Sequence, residues 1–242
     1  MIWLSLFGLN LHSRAVRNDL RDCNSLHRTL MRLFPEADHH AARRDLGVLY
    51  RVEQGSAGQL RVLLQSSTQP DFARLPQGYL ETPPQSKPLD HIDSMLQSGR
   101  RLRFRLRANP TRAIDTKSRP DGTRNNGKRV ELRGEEACTG WLHRKAQQHG
   151  FRILACRIDA GAPDPRRVNG KLEGKKDGSL ITVASVLFDG ILEVADVALL
   201  REALQTGVGR GKSYGQGLLS LAPATEPEGP DERPAYSAEG QG

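Results

Sequence analysis

The hydrophobic positions in the first half of the chain predict the order strand, helix, strand, strand, weak helix, strand. Residues 2–11 are rich in large apolar side chains and predict a strand. Residues 18–34 then change to a helical period, which Pro35 ends. The apolar face of this helix consists of Leu26, Leu30, Leu33 and Phe34. The other predicted elements are strands at 47–54 and 59–66 around a Gly-Ser-Ala-Gly turn, a weak helix near residue 70 and an edge strand at 88–93.

The second half of the chain repeats this order. Its predicted elements are strands in 100–110, 151–160, 179–194 and 217–222, and helices at 134–150 and 196–207. Two βαββαβ units fit this order better than a parallel sheet does. The sequence therefore predicts an α+β fold of two tandem ferredoxin-like (RRM-like) domains with antiparallel sheets. The predicted domains are 1–96 and 97–222, followed by a disordered acidic tail at 223–242.

The net charge adds an expectation about partners. The 242 residues include 36 Lys and Arg against 28 Asp and Glu, a formal charge of +8. Five acids and one base lie from Pro223 onward, so the residues before it carry +12. A body this basic attracts polyanions, of which nucleic acid is the commonest. A soluble protein with a generous positive surface is the alternative.

The cysteines and the N-terminus favour a cytoplasmic protein that uses no metal. Cys23, Cys138 and Cys156 form no C-x-x-C pair and no disulfide framework, as expected in a reducing compartment. We predict neither a signal peptide nor a membrane span. Cys23 and His27 have the i, i+4 spacing of two metal ligands, but no second pair completes a site, and no paired carboxylates indicate a two-metal nuclease. We therefore predict no metal and no cofactor.

The stretch GVGRGKSYGQGLLSLAP (207–223) has the composition of a phosphate-binding loop. A nucleotide-binding P-loop would need a glycine where this chain has Thr206, and it would precede a helix instead of a strand. Five glycines in eleven positions instead allow backbone N–H groups to approach an anion, such as an RNA phosphate, while Tyr214 could stack on a base. The alternative is a flexible turn before an edge strand. The predicted RNA contacts are Gly209, Arg210, Gly211, Lys212, Ser213 and Tyr214.

The strand RRLRFRLRANP (100–110) and two basic loops extend the predicted RNA surface. A two-residue period puts three arginines on one face of this strand, where they could match successive phosphates. These are Arg103, Arg105 and Arg107. A solvated outer face is the alternative. The loop 111–133 has seven bases and three acids, with Lys128 and Arg129 among the predicted contacts. The loop 163–176 carries Arg166 and Arg167, and we expect a hairpin there that could enter a groove of structured RNA.

Two of these motifs together resemble a known family. FRLRANP (104–110) and the stretch 207–223 are similar to the CasE (Cse3) endoribonucleases that process CRISPR RNA in type I-E systems. LHRTLMRLFP (26–35) and RVLLQSS (61–67) also match in kind and order, so the resemblance covers about residues 1–223. It implies two ferredoxin-like domains that bind the stem-loop of the CRISPR repeat and cut the precursor at the base of the stem without a metal. It also implies that the protein stays with the product as a subunit of Cascade, whose other subunits are then its partners.

The resemblance also implies a catalytic residue. The family's helix-borne catalytic histidine corresponds to His27, which lies at the edge of the apolar face of its helix. The family often has a tyrosine three residues earlier, where this sequence has Asn24. RNA supplies its own nucleophile, so cleavage needs in-line geometry, a proton carrier near neutral pH and cations near the phosphorane. The hypothesis is an endoribonuclease with His27 as general acid or base. The alternative is a non-cleaving RNA-binding module of a ribonucleoprotein complex.

Overall fold

A computed structural model of the chain gives the fold. It describes residues 1–35, 42–55, 57–90, 92–114, 129–159, 164–166, 172–176 and 179–224. Two four-stranded antiparallel sheets dominate it, one in each half of the chain. None of the helices in these ranges is long and apolar enough to cross a membrane.

The N-terminal sheet has the strand order of a ferredoxin-like unit. Its strands are β1 (Trp3–Gly8), β2 (Leu49–Gln54), β3 (Leu60–Ser66) and β4 (Gln85–Pro88). They lie in the order β2-β3-β1-β4, and each neighbouring pair is antiparallel. The weak helix predicted near residue 70 is a 3₁₀ turn (Phe72–Arg74).

The helix predicted at 18–34 is two helices, α1 (Arg14–Arg21) and α2 (Cys23–Met31), followed by a short α3 (Ala42–Asp45). Asp22 separates the first two. Its backbone is extended, and its carboxylate caps α2 by accepting a 2.8 Å hydrogen bond from the backbone N–H of Asn24. Aspartate is a strong N-cap residue, which explains the break. The hydrophobic period continues across Asp22, so the pattern alone does not reveal it.

The C-terminal half repeats the sheet and adds two hairpins. After α4 (Ile92–Met95), its elements are β5 (Arg101–Ala108), β6 (Thr111–Ala113), β7 (Arg129–Glu131), α5 (Glu135–Gln148), β8 (Phe151–Asp159), β9 (Leu172–Lys176), β10 (Ser179–Val183), β11 (Val186–Val194), α6 (Val197–Thr206) and β12 (Leu219–Pro223). The sheet order is β12-β5-β11-β8, while β6 pairs with β7 and β9 with β10. The predicted α+β fold of two ferredoxin-like units is thus confirmed. The boundary between residues 96 and 97 stays a prediction, and most of the predicted tail lies outside the described residues.

Each sheet has its own hydrophobic core. The predicted apolar face is correct, since Leu26, Leu30, Leu33 and Phe34 are all buried in the N-terminal core. Buried hydrogen bonds join the two halves. The Gln65 side chain donates to the carbonyl of Leu204 (2.6 Å), and Arg51 donates to that of Leu218 (3.2 Å). These bonds fix the segments on either side of the glycine-rich stretch against β2 and β3.

Candidate RNA-binding and catalytic site

The glycine loop, residues 207–217, follows α6 and leads into β12. Its five glycines all have φ between +77° and +92°, a range that other residues rarely adopt. Between Gly211 and Gly215 the chain forms a 3₁₀ turn, Lys212–Tyr214. A side chain at Gly215 would lie 2.9 Å from both Arg166 and the Tyr50 ring, and one at Gly217 would lie 2.8 Å from the carbonyl of Val208. Glycine is therefore required by the conformation and packing of the loop, while RNA contact by Gly209 and Gly211 stays a prediction.

Two buried side chains hold the 3₁₀ turn by its carbonyl groups. The Tyr50 hydroxyl donates to the carbonyl of Ser213 (3.0 Å), and Arg166 donates to that of Tyr214 (2.9 Å). Arg166 also binds both carboxylate oxygens of Asp164, at 2.8 and 2.7 Å, and its guanidinium lies 5.7 Å from the centre of the Tyr50 ring. The turn is thus attached to β2 of one sheet and to the 164–166 segment of the other half.

The protonation states of these groups suit this anchoring role. Burial raises the pKa of Tyr50 well above its usual value, although the charge of Arg166 opposes the shift, so the hydroxyl keeps its proton and donates. Burial would also raise the pKa of Asp164, but Arg166 outweighs burial and holds the pKa below its usual value. The buried pair is therefore fully ionised at neutral pH.

Arg166, a predicted RNA contact, is buried in the structure. Its side chain and that of Asp164 are both 0% exposed. Its guanidinium binds Asp164 and the glycine loop, so its contact with RNA stays a prediction. A buried, hydrogen-bonded ion pair is a structural element whose loss leaves an uncompensated charge. Two other predicted contacts, Arg167 and Lys128, lie outside the described residues.

His27 lies on the helix that packs against the glycine loop. Helix α2 contacts both the 3₁₀ turn and β9. Cys23, one helical turn before His27, is buried in a small cluster with Leu172 and Val183, and Tyr214 packs against this cluster. Positions four apart share a helix face. The half-buried His27 imidazole therefore lies on the side of α2 that faces the glycine loop.

Asn24 occupies the first turn of α2, three residues before His27 and on the same side. It is half-buried. An amide neither gains nor loses a proton near neutral pH, so Asn24 can hydrogen-bond RNA but cannot replace a tyrosine hydroxyl in proton transfer. In this part of α2, His27 is the side chain able to titrate near neutral pH.

The predicted row of three arginines on β5 is interrupted. Arg103 is exposed, as expected. The Arg105 side chain is 48% exposed but forms ion pairs with Asp189, at 2.7 Å, and Glu53, at 3.8 Å. Arg107 is only 4% exposed, and its RNA contact stays a prediction. The two-residue period identified the correct face, but it could not show which residues cover it.

Tertiary contacts explain both departures. The antiparallel pairing of β5 with β11 places Asp189 opposite Arg105. The Arg107 side chain is buried, and it donates to the hydroxyl of Ser185 (3.5 Å), on the segment that leads into β11. Arg103 and Arg105 keep their predicted RNA contact as a proposal, with Arg105 already partly neutralised.

A cationic pocket of about 240 Å³ lies between the glycine loop and α5. Its basic side chains are Arg129, Lys145, His149, Arg210 and Lys212. Three of them were predicted RNA contacts, while Lys145 and His149 were missed. Their i, i+4 spacing near the end of a helix was the available signal, but it does not indicate that the helix borders the glycine loop.

Burial, together with the crowding of positive charge, lowers two pKa values in this pocket. Burial, followed by the charges of Lys145 and Lys212, lowers the pKa of His149, which Glu202 partly offsets. Burial, followed by the charges of Arg43 and Lys145, lowers the pKa of Lys212. Both shifts arise because another positive charge is unfavourable there, and a bound anion would relieve that strain.

Comparison with known proteins identifies the family. Residues 2–223 match the family described as CRISPR associated protein. The CRISPR-associated endoribonuclease Cse3 of Thermus thermophilus is 36% identical over 92% of this chain and 100% of its own length. The CRISPR system Cascade subunit CasE of Escherichia coli is 35% identical over 84% of this chain and 93% of its own. The structure of Thermus thermophilus Cse3 bound to an RNA representing a pre-cleavage complex has a TM-score of 0.72 at 33% identity, covering 92% of this chain and 99% of that one. With the two ferredoxin-like units, the glycine loop and the histidine helix in place, this chain belongs to the CasE/Cse3 family of CRISPR-associated proteins.

Proposed function

We propose that this protein is an endoribonuclease that binds the stem-loop of the CRISPR repeat, cuts the precursor RNA and stays with its product in a Cascade complex. Three findings on two relatives support the three parts of this function. One is named an endoribonuclease, one structure holds an RNA in a pre-cleavage complex, and one relative is a Cascade subunit. An RNA-processing role also favours the predicted cytoplasmic location, which cell fractionation with immunodetection would test.

One structural observation supports cleavage most directly. Helix α2, which carries His27, packs against the 3₁₀ turn of the glycine loop. A titratable imidazole therefore lies beside a loop whose exposed Arg210 and half-buried Lys212 supply positive charge. A phosphodiester held at this loop would have a proton carrier and cations on hand, which are the protein groups that RNA transesterification needs.

The proposed reaction uses the RNA's own nucleophile. The 2′-oxygen attacks the adjacent phosphorus, the bond from phosphorus to the 5′-oxygen breaks, and the products are a 2′,3′-cyclic phosphate and a 5′-hydroxyl. The 2′-hydroxyl gives up one proton, and the departing 5′-oxygen takes one. His27 performs one of these transfers, and the loop cations stabilise the negative charge that develops on the phosphorane.

The test compares two histidine variants in single-turnover cleavage of a cognate repeat stem-loop. His27→Ala should slow cleavage by about 100-fold or more, the usual loss on removing a general acid or base. Its RNA affinity should change little. The matched control is His143→Ala, an exposed position on α5 outside the cationic pocket, which should cleave at the wild-type rate. Full activity in His27→Ala would remove His27 from the mechanism.

A second candidate function is a non-cleaving RNA-binding module. It is favoured by Asn24, which leaves α2 without the second titratable group often present in the family. Incubation of the protein with its repeat RNA separates the two functions. Tight binding without cleavage would support the binding module, and cleavage at one position would support the nuclease.

A further inference from the structure

The cationic pocket lies on a different side of the glycine loop from the anchors of the 3₁₀ turn. The carbonyls of Ser213 and Tyr214 are held by Tyr50 and Arg166. The side chain of Lys212, in contrast, lines the pocket with Lys145 and His149 of the α5 region. The loop cations Arg210 and Lys212, which the proposed reaction places near the scissile phosphate, therefore also border a second group of basic side chains, Lys145 and His149.

The pocket has the size and the composition of an anion site. Its volume of about 240 Å³ is several times the roughly 30 Å³ that one water molecule occupies in the liquid. No acidic side chain is among the described residues that line it. The buried indole of Trp141 and the backbone at Gly207 and Gly209 form part of its wall. A phosphate group with some of its water would fit.

Within the described part of the chain, few carboxylates neutralise the cations in this pocket. Lys145 donates to the neutral amide of Gln148 (2.8 Å), and Arg129 donates to the hydroxyl and carbonyl of Thr111. Among the described residues, the charges that act on His149 come from Lys145, Lys212 and Glu202, and only the last is acidic. Holding several cations together without counter-ions costs free energy, and a polyanion that binds there recovers it.

We propose that this pocket binds a backbone phosphate of the RNA other than the one that is cut, with Lys145 and His149 as specific contacts. This inference rests on the proposed function, since it takes RNA as the source of the phosphate. An RNA strand crossing the glycine loop would then be held on both sides of it. The pocket would fix the position of the strand, so that the phosphate to be cut stays beside α2.

The first experiment measures the affinity for a repeat stem-loop that carries a 2′-deoxy nucleotide at the cut, over a range of salt concentrations. Lys145→Gln should weaken binding by about 5-fold or more and reduce the slope of log affinity against log salt by about 0.7–0.9, the value for one phosphate contact. The matched control is Arg144→Gln, which removes an exposed cation from the next position of α5, outside the pocket. It should change affinity less than 2-fold. Equal losses in both variants would overturn the proposal, because only overall charge would then matter.

The second experiment identifies the phosphate. Single backbone phosphates of the RNA are replaced one at a time by neutral methylphosphonates, and the affinity of wild type and Lys145→Gln is measured for each. At the phosphate that occupies the pocket, the replacement should weaken RNA binding by the wild type. It should reduce the RNA affinity of Lys145→Gln little further, because that variant has already lost the contact. His149→Gln should show the same position-specific loss of effect. If no phosphate is coupled to Lys145, the proposal is wrong.

Two further measurements distinguish RNA from free phosphate as the ligand of the pocket, and failure of this inference from failure of the proposed function. Inorganic phosphate, compared with chloride at equal ionic strength, should compete with RNA for wild type more than for Lys145→Gln, but only at concentrations far above those of RNA. Competition at equally low concentration would identify a free-phosphate site and contradict the proposal. Cleavage of unmodified RNA by wild type tests the proposed function separately. If the protein binds RNA through the pocket without cleaving it, this inference stands and the proposed nuclease function is wrong.

Discussion

The Tyr50 hydroxyl, on β2 of the N-terminal sheet, donates a 3.0 Å hydrogen bond to the backbone carbonyl of Ser213 in the glycine loop. The two residues are 163 positions apart. The bond joins the sheet that packs against α2 to the loop that α2 contacts. The spacing between His27 and the loop therefore depends on contacts between the two halves of the chain.

Tyr50→Phe tests this anchor. Loss of the hydroxyl should lower the free energy of unfolding by about 1 kcal/mol, the typical net value of one hydrogen bond. It should also slow RNA cleavage while affecting RNA affinity little, because the loop is less well positioned. The matched control is Tyr79→Phe, whose hydroxyl donates to Asp19 (2.8 Å) within the N-terminal half. That variant should lose stability but cleave at the wild-type rate, and equal slowing in both would argue against the anchor.

Gly215→Ala should damage the site more than another alanine at positive φ. Gly215 has φ +77° and no room for a side chain beside Arg166 and Tyr50, whereas Gly78 has φ +70° and nothing within 4 Å. Gly78→Ala should therefore cost only the backbone strain, about 1–2 kcal/mol. Denaturant unfolding should show a clearly larger loss for Gly215→Ala, with slower cleavage. Equal stabilities of the two variants would show that packing at Gly215 is unimportant.

The buried Asp164–Arg166 pair should be structural. Arg166→Gln leaves Asp164 without its counter-ion and should cost about 3–5 kcal/mol of unfolding free energy. The double variant Asp164→Asn with Arg166→Gln should lose less unfolding free energy than the sum of the losses in the two single variants. As a surface control, Asp93→Asn breaks the exposed Arg201–Asp93 pair and should cost less than about 1 kcal/mol.

The same pair predicts a direction for the effect of pH. Since the pKa of Asp164 is held below its ordinary value of 3.8, the pair stabilises the folded state above that pH, and the stabilisation is lost as pH falls through the lower folded value. The stability difference between wild type and Asp164→Asn should therefore be constant near neutral pH and shrink below about pH 4. Unfolding curves between pH 7 and pH 2 measure it. A difference that grows in acid would contradict the ion pair.

The charge crowding in the cationic pocket predicts how the pKa of His149 responds to its neighbours. Lys145→Gln should raise this pKa by removing a like charge, while burial keeps it below 6.5. Glu202→Gln should lower it further, because an acidic neighbour that raises this pKa is lost. NMR titration of the histidine ring protons, with His149→Gln used for assignment, measures both shifts. Shifts in the opposite directions would show that these groups do not face His149.

The parts of this molecule that sequence could predict are those governed by local periodicity. The element order, the apolar face of α2 and the position of His27 at its edge depend on contacts within a few residues. The burial of Arg107 and Arg166, in contrast, depends on contacts with distant parts of the chain. The Arg107 side chain is buried beside Ser185, 78 positions away in sequence, and Arg166 is buried with Asp164 between segments from both halves. An arginine in a basic loop looks the same in sequence whether it faces RNA or a buried carboxylate.

The site was predictable to a similar extent. The glycine loop was visible because five glycines in a short stretch signal an unusual backbone, which the positive φ values confirm. Lys145 and His149 gave no comparable signal, because cations near the end of a helix are commonly solvated. Only the packing of α5 against the loop turns them into part of a pocket.

The measurement that tests the central claim most directly is single-turnover cleavage of the repeat stem-loop in EDTA. Wild type should cut at one position and leave a cyclic phosphate and a 5′-hydroxyl. A 2′-deoxy nucleotide on the 5′ side of the cut should abolish cleavage, and His27→Ala should slow it by about 100-fold or more. Cleavage that requires added magnesium, that proceeds on the 2′-deoxy RNA, or that is unchanged in His27→Ala would contradict an imidazole-assisted attack by the 2′-hydroxyl.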